Sequence, residues 1–290
     1  MNTSTLTTRD GLQLHWHEWR IDHPRGTVLL VHGHGEHIGR YEHVARYLNQ
    51  QGWAVAGYDQ RGHGRSPGRR GHIAQPDDLL HDLAAAIDQT RARLPGGPLI
   101  VLAHSMGGVT AARFALGQQG LESGDWARAV DGYVLSSPAL DVAPSAAQKL
   151  LLAFGLRFMP WLSASNGLKS AWVSRDPAEV AKYDADPLVH GLIAPKLAQF
   201  IIDSGERALA HAAEWHVPTL LLYGGSDRCV NPAGSDRFAA TAPKKWVSAH
   251  AYPVLYHEIF NEPERDEVLT EVGAWLDRTF NGTAHLTRRA

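Results

Sequence analysis

The stretch Pro98-Leu99-Ile100-Val101-Leu102-Ala103-His104-Ser105-Met106-Gly107-Gly108 decides how this chain is read. Leu99 to Leu102 never alternates with polar residues, as expected of a strand buried on both faces. The run stops at small residues around one serine, and Val109-Thr110-Ala111-Ala112-Arg113-Phe114-Ala115 continues in helix-forming style. A serine on a sharp strand-to-helix turn has its hydroxyl pushed out at the carboxyl edge of a sheet. Small flanking residues let the two backbone arms pass close together, which is the nucleophile-elbow arrangement G-x-S-x-G. Ala103 stands at the first glycine of that pattern, a change of one methyl group.

Outward from this turn the same rhythm recurs. Thr3–Thr8 and Leu12–Trp19 predict two strands joined by a two-residue turn at Asp10-Gly11. Gly26–Val31 predicts a buried strand that runs into the glycine-rich loop His32-Gly33-His34-Gly35-Glu36-His37. Ile38–Asn49 predicts a helix with Tyr41, Val44, Ala45 and Leu48 on one face. Trp53–Tyr58 predicts another strand, and Pro76-Asp77-Asp78 opens a helix reaching about Leu94. Val130–Leu135, Leu220–Tyr223 and Trp246–Tyr252 complete the strands, and Pro263–Phe280 the helices. Strands separated by helices predict an α/β fold with a mostly parallel, doubly covered sheet. The segment 138–216 shows no strand-like run and several helix starts: Pro144, an apparent capping box at Asp176-Pro177-Ala178-Glu179, and Pro195. It is expected to be a helical cap, with 1–137 and 217–290 forming the core.

Composition limits the function classes. With 290 residues, 44% hydrophobic and 20% charged, the chain suits one large domain with an insertion. A net charge of −2 gives no pull toward nucleic acid. One cysteine, Cys229, precludes an internal disulfide and argues against a cysteine-based metal site. Neither a secretory signal nor a membrane-spanning run is visible, so a soluble, cytoplasmic protein is expected.

In open parallel sheets, ligands sit beyond the carboxyl ends of the strands. Ser105 there requires a base, and the base requires a carboxylate to fix its tautomer and stabilise its charge. Asp227 follows Leu220–Tyr223 through Gly224-Gly225-Ser226, and His257 follows Trp246–Tyr252. Taken alone, Asp227 reads as a turn cap and His257 as one of 17 histidines. Together with Ser105 they give the chain order serine, aspartate, histidine of α/β-hydrolases. An oxyanion hole needs two converging N–H groups. Met106 N–H and His34 N–H are the expected pair.

The runs His32-Gly33-His34-Gly35-Glu36-His37-Ile38-Gly39-Arg40-Tyr41, Asp59-Gln60-Arg61-Gly62-His63-Gly64-Arg65-Ser66, His104-Ser105-Met106-Gly107-Gly108, Gly224-Gly225-Ser226-Asp227 and Tyr256-His257-Glu258 carry a family likeness. So does the cap stretch from Asp176-Pro177 to Tyr183-Asp184-Ala185-Asp186-Pro187-Leu188-Val189. On these residues the chain resembles the α/β-hydrolases of the monoacylglycerol lipase and bacterial lysophospholipase group, also called serine aminopeptidase-type hydrolases. The resemblance implies an eight-stranded sheet covered by helices on both faces, a helical cap, and Ser105, Asp227 and His257 as the catalytic residues. It implies hydrolysis of a medium- or long-chain monoester, monoacylglycerol first, without a cofactor. Lysophospholipase or broad carboxylesterase activity is the nearest alternative, and a non-catalytic lipid-binding protein the alternative of another class. Glu36 and Arg40 would line the pocket for the leaving alcohol, or else form a salt bridge bracing the oxyanion loop. Some members carry a further histidine where this chain has Phe260.

Two features have competing readings. His32, His34, His37 and His63 suggest a metal site, but the oxyanion loop accounts for the glycines between them and a metal does not. No metal is therefore expected. Leu150 to Leu162 is apolar nearly all round, as in a buried helix. Flanked by Lys149, Arg157 and Lys169, it also fits a lid that lines an acyl tunnel through Leu151, Phe154 and Phe158 and touches a membrane interface.

Overall fold

The structure, a computed structural model, describes residues 2–280. Eight strands form one sheet: β1 (Asn2–Thr7), β2 (Gln13–Trp19), β3 (Thr27–Val31), β4 (Ala54–Tyr58), β5 (Leu99–His104), β6 (Gly132–Ser136), β9 (Thr219–Gly224) and β10 (Val247–Tyr252). Their spatial order is β1-β2-β4-β3-β5-β6-β9-β10. β1–β2 and β2–β4 pair antiparallel, and every other neighbouring pair is parallel. Burial on both faces explains the unbroken apolar strands. Leu29, Val31, Val101 and Ala103 face one hydrophobic cluster, while Val28, Leu30, Ile100 and Leu102 face the other. Helices α2 (Asp78–Arg93) and α3 (Ser105–Gln118) cover the first face; α1 (Glu42–Gln50) and α8 (Arg265–Phe280) cover the second.

Local chemistry corrects three expectations. β1 and β2 are joined by the five-residue loop 8–12, not a two-residue turn. Thr8 closes it, because its Oγ1 accepts the Leu12 N–H at 2.9 Å and its carbonyl accepts the Gly11 N–H at 3.0 Å. The helix expected from Ile38 begins as a 3₁₀ turn over Ile38–Tyr41 and becomes α-helical only at Glu42. At Asp176 the carboxylate caps the Ala178 N–H at 2.8 Å, but Glu179 pairs with Lys182 instead of completing a box. The reciprocal box lies earlier, between Ser145 and Gln148 at the start of α4 (Ala146–Phe158).

The segment 138–216 also holds a two-stranded antiparallel ribbon, β7 (Ala164–Ser165) with β8 (Leu192–Ile193), where only helices were expected. Two residues per strand are too few to produce an alternation. The segment's other helices are α5 (Pro177–Ala185) and α6 (Pro195–Ala210). Leu197, Phe200, Ile201 and Ala208 of α6 are buried within the core cluster that contains α3. By contrast α4 and α5 bury almost nothing, with Gly155 the one fully covered residue between them. α7 (Pro232–Thr241) packs beside β9 and carries the buried Phe238.

The turn from β5 into α3 forms as its residues suggested. Ser105 takes φ 52°, in the left-handed region that L residues occupy at a cost. Gly107 passes directly over the end of β3: a Cβ there would lie 2.5 Å from the carbonyl oxygens of both Val31 and His32. Ala103, pairing with Val31 inside the sheet, has no such crossing and tolerates its methyl.

Candidate active site

All three expected residues arrive at one rim. Ser105 opens α3, Asp227 follows β9 and His257 follows β10. His257 Nε2 lies 2.8 Å from Ser105 Oγ, and His257 Nδ1 lies 2.7 Å from Asp227 Oδ2. Asp227 Oδ1 accepts the N–H groups of Cys229 at 2.8 Å and Val230 at 3.1 Å, which orients the carboxylate toward the imidazole. Burial works against a charged His257, but the Asp227 charge and hydrogen bond outweigh it and hold the imidazole above its ordinary value of 6.5. The neighbouring His104, whose ring centroid lies 4.8 Å away, goes the other way. Burial, reinforced by His257, lowers it to about 4. An alcohol, imidazole and carboxylate joined in this order can pass the alcohol's proton to the ring.

Met106 lies in the first turn of α3, where N–H groups have no intrahelical acceptor. His34 lines both cavities that meet at Ser105. Its own loop is pinned from below. His32 Nε2 accepts the Gln60 N–H at 2.9 Å, so His32 Nδ1 carries the proton and donates it to the Gly33 carbonyl at 2.7 Å. From above, the His190 N–H donates to the Gly35 carbonyl at 2.9 Å. Gly35 has φ 79°, and a Cβ there would lie 2.3 Å from the His190 carbonyl oxygen. Each histidine of these loops has at least one hydrogen-bonded ring nitrogen, while His63 Nε2 is buried without a partner among the described residues. His34 Nε2 bonds the Leu192 carbonyl at 3.0 Å and His63 Nδ1 the Arg61 carbonyl at 2.9 Å. His37 Nε2 pairs with Asp186 at 2.8 Å.

The two cavities differ in character. One, of about 320 Å³, is lined by polar groups that include Glu36, Asn166, Asp184, His190 and Glu258. The other, of about 300 Å³, is lined mainly by Met106, Val142, Leu152, Ile193, Ile201 and Val230. Ser105, His257 and Cys229 border both. Burial pushes the Cys229 thiol far up, and Asp227 adds to the shift, so it is no thiolate competitor to Ser105.

Glu36 and Arg40 lie in a buried ion-pair network. Arg40 bonds Glu258 through both terminal guanidinium nitrogens at 2.6 Å and reaches Glu36 from Nη1 at 2.9 Å. Glu36 Oε1 also accepts the Gly33 N–H at 2.6 Å and the Tyr41 hydroxyl at 2.7 Å. Burial alone would raise the Glu36 carboxyl, but Arg40 holds it down to about 2. Glu36 thus borders the polar cavity while Arg40 stands behind it, stacked over Tyr183 at 4.8 Å. Leu151, Phe154 and Phe158 correct the expectation more sharply. They are 70%, 50% and 56% exposed, and from the same helix Gln148 and Leu152 line the apolar cavity instead. A stretch apolar on all sides gives no sign of which face turns inward. Glu258, Asn166 and His190 were not foreseen in the cavity wall. Adjacency to His257 signals Glu258, whereas nothing local signals the two cap residues.

This fold and this site define an α/β-hydrolase of the serine hydrolase class. The family model described as "Serine aminopeptidase, S33" matches residues 22–264, and the chain belongs to that family. It is 36% identical over 270 residues to a monoacylglycerol lipase of Mycolicibacterium smegmatis, across 92% of this chain and 93% of that protein. It is 28% identical to phospholipase YtpA of Bacillus subtilis, across 90% of this chain and 98% of that protein. The crystal structure of Paleococcus ferrophilus monoacylglycerol lipase superposes with a TM-score of 0.79 at 34% identity, covering 92% of this chain and 99% of that one.

The Glu36–Arg40–Glu258 network yields a test. The three side chains are 3%, 10% and 6% exposed, so Arg40→Ala strands two buried carboxylates. It should lower the unfolding free energy by about 3–5 kcal/mol in a urea titration. An unchanged midpoint with a raised KM would instead make Arg40 a substrate contact.

Proposed function

We propose that this protein hydrolyses monoesters of medium- or long-chain fatty acids, monoacylglycerols first, through an acyl-serine intermediate. The observation that carries this reading is the meeting of a polar and an apolar cavity at Ser105. An ester straddling Ser105 would lay its acyl chain against Leu152, Ile193 and Ile201 and its alcohol toward Glu36, Asn166 and His190. The similarity to monoacylglycerol lipases supports the same assignment.

In the mechanism, His257 takes the Ser105 proton as the hydroxyl attacks the carbonyl carbon. Asp227 holds the imidazolium, and the His34 and Met106 N–H groups receive the developing oxyanion. His257 then gives its proton to the departing alcohol. Water, deprotonated by the same ring, attacks the acyl-serine and releases the acid. No step requires a cofactor.

Lysophospholipid hydrolysis is the second reading, favoured by the similarity to the Bacillus phospholipase. Against it, Glu36, Asp184, Asp186 and Glu258 give the polar cavity a wall rich in carboxylates, with Lys169 its one lysine or arginine. That wall suits a neutral polyol better than a phosphate. The outer face of α4 adds a surface role. Leu150, Leu151, Phe154 and Phe158 of α4, with Trp161 and Leu162 just after its end, are exposed near Lys149 and Arg157, which fits a lid that rests on a lipid interface. Among the described residues no helix is long and apolar enough to cross a membrane.

Four measurements test these readings. Ser105→Ala should lose turnover by roughly 10⁶-fold and all fluorophosphonate labelling, while wild-type enzyme on a matched panel should prefer monoacylglycerols to lysophosphatidic acids of equal chain length. Near-normal turnover of the variant would reject the mechanism, and the reverse preference the substrate. The base works only when neutral, so the raised His257 value moves the acid limb of kcat/KM above pH 6.5. Asp227→Asn should carry that limb to lower pH, and an unmoved limb would assign it to another group. In vesicle flotation, Leu151→Ser with Phe154→Ser should weaken binding while hydrolysis of short soluble esters persists. Equal flotation of variant and wild type would remove the lipid contact.

A further inference from the structure

Cys229 is the sole cysteine among 290 residues, and the mechanism gives it no task. It is nevertheless fixed beside the relay. Its backbone N–H is bound to Asp227 Oδ1, and its side chain borders both cavities. One ligand atom from each of Asp227, Cys229 and His257 lies within 4.8 Å of the other two, the one such cluster of three among the described residues.

We propose that Asp227, Cys229 and His257 form an inhibitory binding site for Zn²⁺. Thiolate, imidazole and carboxylate are the donors zinc prefers, and three protein ligands leave a fourth position for water. A tetrahedral zinc ion holds its ligand atoms roughly 3.3–3.6 Å apart, so side-chain adjustments of about 1 Å complete the set. One thiolate and one carboxylate neutralise the ion's two charges, and the cavities that Cys229 borders give the ion a way in. The ion takes the place of the thiol proton, which is released to solvent. Coordination at Nδ1, the ring nitrogen beside Asp227, leaves the imidazole's own proton on Nε2, where it can no longer receive the Ser105 proton. Mg²⁺ and Ca²⁺ favour six or more oxygen ligands and should not bind here. The inhibition rests on the serine-hydrolase reading, whereas the binding itself does not.

The test uses the full chain in two arms. In the first, Zn²⁺ is titrated into an ester-hydrolysis assay, with Mg²⁺ as control and a chelator added afterwards. Zn²⁺ should inhibit, the chelator should restore activity and Mg²⁺ should do nothing. Cys229→Ser, normalised to its own uninhibited rate, should need at least about 10-fold more Zn²⁺, the smallest loss seen even when an outer partner of a metal site is removed. In the second arm Co²⁺ replaces Zn²⁺ and the absorption spectrum is recorded without substrate. A thiolate-to-cobalt charge-transfer band should appear in the wild type and vanish in Cys229→Ser, an unambiguous assignment in a chain with one cysteine. The proposal is overturned if Zn²⁺ does not inhibit an active enzyme, if it inhibits the variant at the same concentration, or if the wild type gives no thiolate band. Should Cys229→Ser fail to fold, the wild-type band and protection of Cys229 from alkylation by Zn²⁺ decide the matter. A protein without esterase activity that still shows the band would sink the hydrolase reading and leave the metal site standing.

Discussion

His257 is held from both sides, by Asp227 at 2.7 Å and by Ser105 at 2.8 Å, and much of the molecule is arranged so that these two contacts coincide. The three residues leave three different parallel strands, so their meeting depends on the register of β5, β9 and β10. For β5 and β9 register is fixed by burial on both sheet faces, since a shift of one residue would exchange every side chain between the two clusters, whereas the edge strand β10, exposed over 248–251, takes its register from its six-residue pairing with β9. The left-handed turn at Ser105 is maintained by that frame. Its strain is sustained because β3, passing beneath Gly107, leaves the chain no room to relax.

Electrostatics then separates one histidine from its neighbours. His32, His34, His63, His104 and His190 all lie near the site, and burial lowers every one of them. His34 and His190 come down to about 4, aided by the His190 ring in the first case and by Arg70 in the second. These five rings are neutral at physiological pH; His32, His34, His63 and His190 hydrogen-bond backbone carbonyls of the surrounding loops, whereas His104 pairs with the Ser136 hydroxyl inside the sheet. His257 is equally enclosed, yet a carboxylate on Nδ1 reverses its shift. A site with many imidazoles therefore holds only one whose proton affinity is raised. The low-polarity surroundings that silence the others also strengthen the attraction between Asp227 and a protonated His257.

The sequence made the sheet and the relay legible for the same reason. Buried parallel strands are continuous apolar runs, and the loops that end them are marked by glycine, serine and aspartate. Ser105, Asp227 and His257 could thus be placed by counting strand ends. The cap resisted this treatment. β7 and β8 are held by two residue pairs and contact with the loops below, not by any local pattern. The five-residue loop at Thr8 depends on a side-chain hydrogen bond that the pair Asp10-Gly11 does not announce. Glu258 shows the same limit within the site. Its bidentate hold on Arg40 spans 218 positions, so neither residue's surroundings in the chain reveal it.

The error over α4 has the most consequence for function. Leu152 faces the apolar cavity while Leu151, Phe154 and Phe158 face outward, so the helix is apolar on both sides for two separate reasons. Its inner face, through Gln148 and Leu152, closes one side of the apolar cavity. Its outer face has no counterpart within the described residues, and exposing several large apolar side chains together is unfavourable in water. α6, by contrast, is built into the core through Leu197, Phe200 and Ile201, and so gives the cap a fixed base. The division places the weakly packed helix between the apolar cavity and the exterior. Under the proposed function, an acyl chain leaving a lipid phase through α4 would exchange one apolar environment for another, and the alcohol end of the ester would reach the polar cavity only after the carbonyl had come up to Ser105.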